Sequence, residues 1–188
     1  DYLPISLNFE KNYILGGDSP RYIEGANKIS NFKLPDGKGT NNLGYIFYLA
    51  IFKYFKLDLS FVVLSQIILT FISSLCLYRI SKKISSTWVA YFIFFFYLFY
   101  LPLQIFNFYI LTETIFICLI IFILYFLIFF KKKYIPLLLV LIFFYIFFRP
   151  HGIILVPALV FSLLIWLYLN NKLILFYSSF ISLIILSI

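Results

Sequence analysis

The 188-residue chain is 64% hydrophobic, carries a formal net charge of +8 and has a mean hydropathy of +1.05. Soluble domains average about 45–50% apolar residues, so this composition indicates an integral membrane protein and excludes an ordinary soluble domain. Two cysteines, Cys76 and Cys118, lie in apolar stretches, and with a single histidine they form no disulfide or transition-metal pattern.

The charges divide the chain into two regions. Residues 1–58 contain seven Lys or Arg against six Asp or Glu, whereas residues 59–188 are almost continuously apolar, with eight basic residues and one acid, Glu113. The surplus positive charge therefore lies where basic loops set membrane topology, and no nucleic-acid partner is predicted. The absence of methionine and an apolar run reaching the last residue lead us to expect a piece of a longer protein.

The first region is predicted to contain two short helices. Ser19 suits a helix N-cap and Pro20 the first helical position, which places Asp18 just before a helix N-terminus. Asp18 is there either as a helix-start residue alone or as a positioned carboxylate able to accept a proton. Residues 43–56 are apolar but too short and too charged for a clear span, so they predict an interfacial helix.

The second region is predicted to be a membrane bundle of about six spans, at about 60–78, 87–103, 108–130, 134–149, 152–169 and 173–188. Lys and Arg follow the first, third and fifth spans. By the positive-inside rule these loops are cytoplasmic and residues 1–58 are extracytoplasmic. The predicted location is the plasma (inner) membrane.

Glu113 and Arg149 are predicted to lie below the outer surface. If the third span begins near Phe108, Glu113 lies about 7–8 Å along it. The fourth span has 15 apolar residues between Lys133 and Arg149, too few to cross a core of roughly 30 Å. An acid and a base sunk from one face predict an outward-facing cavity. Two alternatives remain open: a structural ion pair, or an Arg149 that extends to the headgroups. His151, after Pro150, suits an interfacial position.

Four segments resemble one family. The run from Asp18 to Ala26 (DSPRYIEGA) resembles the first outer loop of GT-C fold glycosyltransferases, which include protein O-mannosyltransferases and lipid A aminoarabinose transferases. Gly44-Tyr45 resembles the start of their second juxtamembrane helix, residues 111–116 (LTETIF) the acid-containing start of a later span, and Arg149-Pro150 an Arg-Pro element. The resemblance covers about residues 16–160. Some relatives have Asp-Glu in place of Asp18-Ser19 and a Pro-rich approach to the Gly-Tyr pair, so the substrate subclass stays open.

The resemblance implies an all-α polytopic bundle with juxtamembrane helices in an extracytoplasmic loop. It also implies inverting transfer of a sugar from a polyprenyl-phosphate carrier to an acceptor hydroxyl or amine on a glycan, lipid or protein. The lipid-linked sugar is a substrate, and no further cofactor or metal is expected. Asp18 would be the base, Arg149 would bind the leaving phosphate bidentately, and Glu113 would orient Arg149 or the acceptor. The remaining predicted substrate-binding residues are Arg21, Tyr22, Tyr45 and His151.

Two other functional classes fit parts of the sequence. In a secondary transporter or flippase, Glu113 and Arg149 would line the substrate path, which requires polar residues at mid-membrane and broken helices. The polar residues within the predicted spans are scattered Ser, Thr and Gln66, which more often serve helix packing. A non-catalytic membrane assembly subunit is the third possibility.

Overall fold

The computed structural model describes residues 13–35, 42–129 and 134–149, all within one compact unit. Over these residues the chain is helical, with seven α-helices and no strand, which confirms the predicted all-α class. The helices are α1 (Ser19–Ser30), α2 (Leu43–Tyr54), α3 (Ser60–Ile84), α4 (Thr87–Phe99), α5 (Leu101–Phe108), α6 (Glu113–Ile128) and α7 (Ile135–Phe148). His151 and the predicted spans 152–169 and 173–188 lie outside the described residues.

One described helix, α3, is long and apolar enough to cross a membrane. A second crossing is reached if α4 and α5, which are bent by 45° at their junction, form one span. Helices α6 and α7 have 16 and 14 residues, short of the roughly 20 that a perpendicular crossing takes. Length and composition thus indicate membrane association for part of this unit.

The second span was predicted as one continuous helix over residues 87–103, and this prediction was wrong. Helix α4 ends at Phe99, Tyr100 is extended, and α5 starts at Leu101 with a proline in its first turn. Pro102 lacks the N–H that would continue the α4 hydrogen bonds, and its ring clashes with the preceding turn. The chain therefore changes direction at this point.

The predicted start of the third span, near Phe108, was also wrong, because α6 begins at Glu113. The chain from the end of α5 onward bonds to a distant segment: Ile14 N–H donates to the Phe108 carbonyl at 2.8 Å, and Ile110 N–H donates to the Ile14 carbonyl at 3.3 Å. These bonds to a distant segment replace helical bonds. Glu113 is consequently the first residue of α6 and not 7–8 Å along it.

Helix α3 lies at the centre of the unit, with α4 and α6 packed against it and α7 against α6. Gln66, early in α3, reaches the Leu111 carbonyl just before α6, and Lys83, late in α3, reaches the Ile128 carbonyl at the end of α6. The two helices therefore run in the same direction. The α1–α2 pair packs at the end where α3 and α6 begin, and α7 contacts α2 there through its last residues.

Gly44 allows α2 to approach α7 closely. A Cβ at this position would lie 2.8 Å from the carbonyl carbon and oxygen of Phe147 and 2.8 Å from a ring carbon of Phe148. Backbone atoms cannot move aside as a side chain can, so an added methyl group would force the two helices apart.

Gly44→Ala is therefore expected to lower the free energy of unfolding by about 1–3 kcal/mol through overpacking. Thermal unfolding of the detergent-purified protein would measure it. Gly25→Ala is the matched control, because the nearest atoms to its Cβ would be side-chain atoms of Ile46, at 3.0 Å, and not backbone. Equal unfolding temperatures for the two variants would contradict the proposed close approach.

Candidate functional site

The candidate site forms where the segment before α1 pairs with the segment before α6. Ile14 and Tyr109 form a parallel β-bridge. The Ser19 hydroxyl lies 2.8 Å from the Gly16 carbonyl and 3.0 Å from the Ile110 carbonyl. Ser19 is fully buried and is the first residue of α1, so the prediction that it caps the helix was wrong. Its hydroxyl instead joins two segments that are 91 residues apart in the chain.

Asp18 occupies the N-cap position of α1 and is held by two neighbours on the same helix. Its Oδ2 atom lies 3.1 Å from an Nη of Arg21 and accepts a 3.4 Å hydrogen bond from the Tyr22 hydroxyl. The Asp18 side chain is nevertheless 55% exposed, and that of Arg21 is 32% exposed. The carboxylate is thus oriented by its neighbours and still open to a molecule arriving from outside.

Tyr22 is buried and connects Asp18 to the loop before α2. The Asn42 side-chain amide donates to the Tyr22 hydroxyl at 2.9 Å, and the Arg21 guanidinium carbon lies 5.3 Å from the centre of the Tyr22 ring. Burial, and then the negative charge of Asp18, raise the pKa of Tyr22, although its hydrogen bond and charge interaction with Arg21 act in the opposite direction. Tyr22 therefore stays protonated at neutral pH, and its hydroxyl donates a hydrogen bond to the Asp18 carboxylate.

The second pair of charges is Glu113 and Arg149. An Nη of Arg149 lies 3.4 Å from Oε1 of Glu113, and the Thr112 hydroxyl donates to Oε2 of Glu113 at 3.4 Å. Arg149, the C-cap of α7, also has its guanidinium carbon 5.5 Å from the centre of the Phe116 ring. The arginine and glutamate side chains are 36% and 30% exposed. Both remain accessible to a ligand while paired.

Two buried hydroxyls near this pair have no hydrogen-bond partner within the described part of the chain. One is Thr114, in the first turn of α6, and the other is Tyr145, one turn before Arg149 on α7. The Tyr145 ring stacks on Phe116 with 4.4 Å between ring centres. Nothing in the local sequence pattern singled out either residue, because both read as ordinary packing residues of apolar helices.

Tyr45 packs against aromatic residues that are adjacent to the two charge pairs. Its ring lies 5.2 Å from the Tyr22 ring and 6.4 Å from the Phe148 ring, centre to centre. The Tyr45 hydroxyl accepts a 3.2 Å hydrogen bond from the Gln66 side-chain amide. Tyr45 is completely buried and packs against Tyr22 and Phe148, and its predicted contact with substrate stays a prediction.

The electrostatics place Glu113 near Tyr22 and Tyr45, and Asp18 near Tyr22. Burial is the main cause that raises the pKa of Tyr22 and of Tyr45, and the charge of Glu113 adds to the rise in both. Asp18, Arg21, Tyr22, Glu113 and Arg149 thus form one cluster at the end where α3 and α6 begin. Of the predicted site residues, only His151 lies outside the described part of the chain.

The cluster suits charge stabilisation and proton transfer better than metal binding. Over the described ranges, no group of three or more His, Cys, Asp or Glu side chains lies close enough to hold a metal ion. The two carboxylates each face a guanidinium instead. A guanidinium presents paired donors that match a phosphate or carboxylate.

Comparison with known proteins found no relative. No protein-family model matches the chain, and no curated protein or solved structure matches it either.

Proposed function

We propose that the chain is a membrane glycosyltransferase of the GT-C type, which moves a sugar from a polyprenyl-phosphate carrier to an acceptor hydroxyl or amine. The observation that carries the proposal is the cluster of two ion pairs, Asp18–Arg21 and Glu113–Arg149, at one end of a group of apolar helices. Its residues come from three of the four segments that carry the family resemblance. The fourth, Gly44-Tyr45, packs directly beneath them.

A lipid-linked donor explains why charged groups belong at the end of apolar helices. The prenyl chain of such a donor stays in the bilayer, so its phosphate reaches the protein at the membrane surface. Arg149 follows 14 helical residues that carry no charge, and it is partly exposed. It would exchange its contact with Glu113 for one with the incoming phosphate.

In the proposed reaction, the acceptor oxygen attacks the anomeric carbon on the face opposite the phosphate. The bond between that carbon and the phosphate oxygen breaks, and the electron pair leaves with the phosphate, where the charge of Arg149 stabilises it. Asp18 takes the proton from the acceptor. Attack from the opposite face inverts the anomeric configuration. Arg21 and Tyr22 hold the Asp18 carboxylate in position.

The proposal includes a membrane arrangement. The α1–α2 pair would form the juxtamembrane helices of an extracytoplasmic loop, and α3 to α7 would belong to a polytopic bundle in the plasma membrane. Exposed apolar residues on α2 support an interfacial position for it: Phe47, Ile51 and Tyr54. Local thinning of the bilayer around their charged ends would accommodate the short lengths of α6 and α7.

The direct test is a transfer assay on the full chain reconstituted in vesicles. Polyprenyl phosphates that bear radiolabelled mannose or aminoarabinose serve as donors, with a membrane extract as the source of acceptor. We expect label in the acceptor, release of polyprenyl phosphate and an inverted anomeric linkage. Direct use of a nucleotide sugar, or no release of polyprenyl phosphate with any donor, would rule the proposal out.

A transporter or flippase is the second candidate, and the break between α4 and α5 favours it. Buried polar residues also follow one another along α3: Gln66, Thr70, Ser73 and Ser74. However, Thr70 donates to Asn107 at 2.9 Å, and Asn107 donates to Gln104 at 2.7 Å. The first bond fixes α5 against α3 and the second orients Asn107 within α5, which is a packing role. Movement of a labelled lipid between leaflets without covalent transfer would favour this candidate.

A further inference from the structure

An open cavity lies at the end of α3 and α6 that is opposite the candidate site. Its volume is about 400 Å³, and five side chains line it: Arg79, Lys82, Lys83, Tyr125 and Phe129. The three cations come from the last turns of α3, and the two aromatic residues come from the end of α6 and its C-cap. Three positive charges thus surround one concave surface. Loop lysines that only set topology need no such shared cavity.

Uncharged partners hold these cations. Arg79 donates to the Tyr125 hydroxyl at 3.1 Å, and Lys83 donates to the Ile128 carbonyl at 2.6 Å. The Lys83 ammonium lies 4.7 Å from the centre of the Phe129 ring, and that of Lys82 lies 5.8 Å from the centre of the Tyr78 ring. The charges of Arg79 and Lys83 are therefore held in position without being neutralised.

No carboxylate in the described part of the chain can neutralise them. Asp18, Glu24 and Glu113 pair with other cations. Asp58, the fourth, accepts from Ser60 at the start of α3, which is about 30 Å from Arg79 along the helix. A cavity with three cations and no acid among the described residues is electrostatically incomplete and suits an anionic ligand.

We propose that this cavity binds a phosphate group and that the phosphate belongs to the headgroup of an anionic phospholipid. Arg79 and Lys83 would contact the phosphate oxygens, Lys82 would lie at the edge, and Phe129 would pack against the glycerol or upper acyl carbons. A lipid source is favoured because the cavity lies between the ends of two apolar helices, where headgroups meet a bilayer protein. The proposal does not depend on the transferase activity.

The test measures how lipids shift the thermal unfolding of the detergent-purified full chain. Short-chain phosphatidylglycerol should raise the unfolding temperature more than phosphatidylcholine of the same chain length. Glycerol 1-phosphate tests whether the phosphate binds without a lipid chain. A fatty-acid carboxylate tests whether a lipid chain with any negative charge is sufficient. In the Arg79→Gln/Lys83→Gln variant, we expect the affinity for phosphatidylglycerol to fall by about 10- to 30-fold. This is the expected effect of removing two cations that each attract one lipid phosphate.

Lys53→Gln/Lys56→Gln is the matched control, since it removes the same charge around the end of α2, near the start of α3. The readout is the lipid-induced shift, so lower basal stability does not obscure it. Lys82→Gln adds a milder variant, because the Lys82 ammonium lies beside the ring of Tyr78, which does not line the cavity. Equal shifts from the two phospholipids, or an undiminished shift in the double variant, would overturn the proposal. Equal affinity for glycerol 1-phosphate would overturn the lipid assignment, and equal affinity for the fatty acid would overturn the phosphate assignment.

Discussion

Replacing Asp18 with Asn in the full chain is expected to lower sugar transfer by about 10²–10⁴-fold, the usual contribution of a positioned general base. The amide keeps the size of the carboxylate and can still accept from Tyr22, but it cannot take the acceptor's proton. The Asp18 side chain is 55% exposed, so the substitution should change folding little. Initial rates of polyprenyl phosphate release would measure the effect, with expression and unfolding temperature followed in parallel.

Glu24→Gln is the control for this experiment. Glu24 lies on the same helix and in the same resemblance segment, and it forms an equivalent ion pair with Lys28 at 3.0 Å. Its substitution removes one carboxylate from α1 without touching the cluster. If the Asp18→Asn variant were as active as the Glu24→Gln variant, Asp18 would serve only to start the helix.

Replacing Arg149 with Ala is expected to lower transfer by about 10²–10³-fold, as is usual when one donor to a developing negative charge is removed. Arg149→Lys should recover only part of the loss, because an ammonium provides a point charge and not two parallel donors. A partly exposed ion pair contributes roughly 1 kcal/mol to folding. A 100-fold fall in rate corresponds to about 2.7 kcal/mol, so lost stability alone cannot account for it.

A charge swap separates catalysis from structure at this pair. In Glu113→Arg/Arg149→Glu the ion pair can form again, but the cation then starts from α6 and not from α7. We expect the unfolding temperature to recover relative to either single substitution while transfer stays low. Transfer that recovered together with stability would mean that Glu113 and Arg149 form a structural ion pair only.

The parts of the fold that depend on local chemistry could be predicted from the sequence. Ser19 and Pro20 located the start of α1 to within one residue. The short fourth span identified Arg149 as a partner for Glu113, and the two side chains are in contact. Both predictions rest on information close in the chain: a proline that sets φ, and a count of apolar residues between charges.

The errors arose where distant segments compete with local preference. Residues 109–112 continue an apolar pattern that favours helix, but Ile110 bonds to Ile14 and so delays α6 until Glu113. No periodicity in either segment encodes this pairing. Local sequence also gives no sign that Tyr45 is completely buried, with its hydroxyl bonded to Gln66 of α3. Side-chain exposure depends on which helices meet, which one sequence does not specify.

The bridge between Ile14 and Tyr109 has a further consequence for the cluster. Asp18 follows one paired segment by four residues, and Glu113 follows the other by four. Backbone hydrogen bonds and the Ser19 hydroxyl therefore fix the separation of the two carboxylates during folding. The entropy of bringing these groups together is lost before any substrate arrives, so the cluster is preorganised and does not need to be assembled by binding.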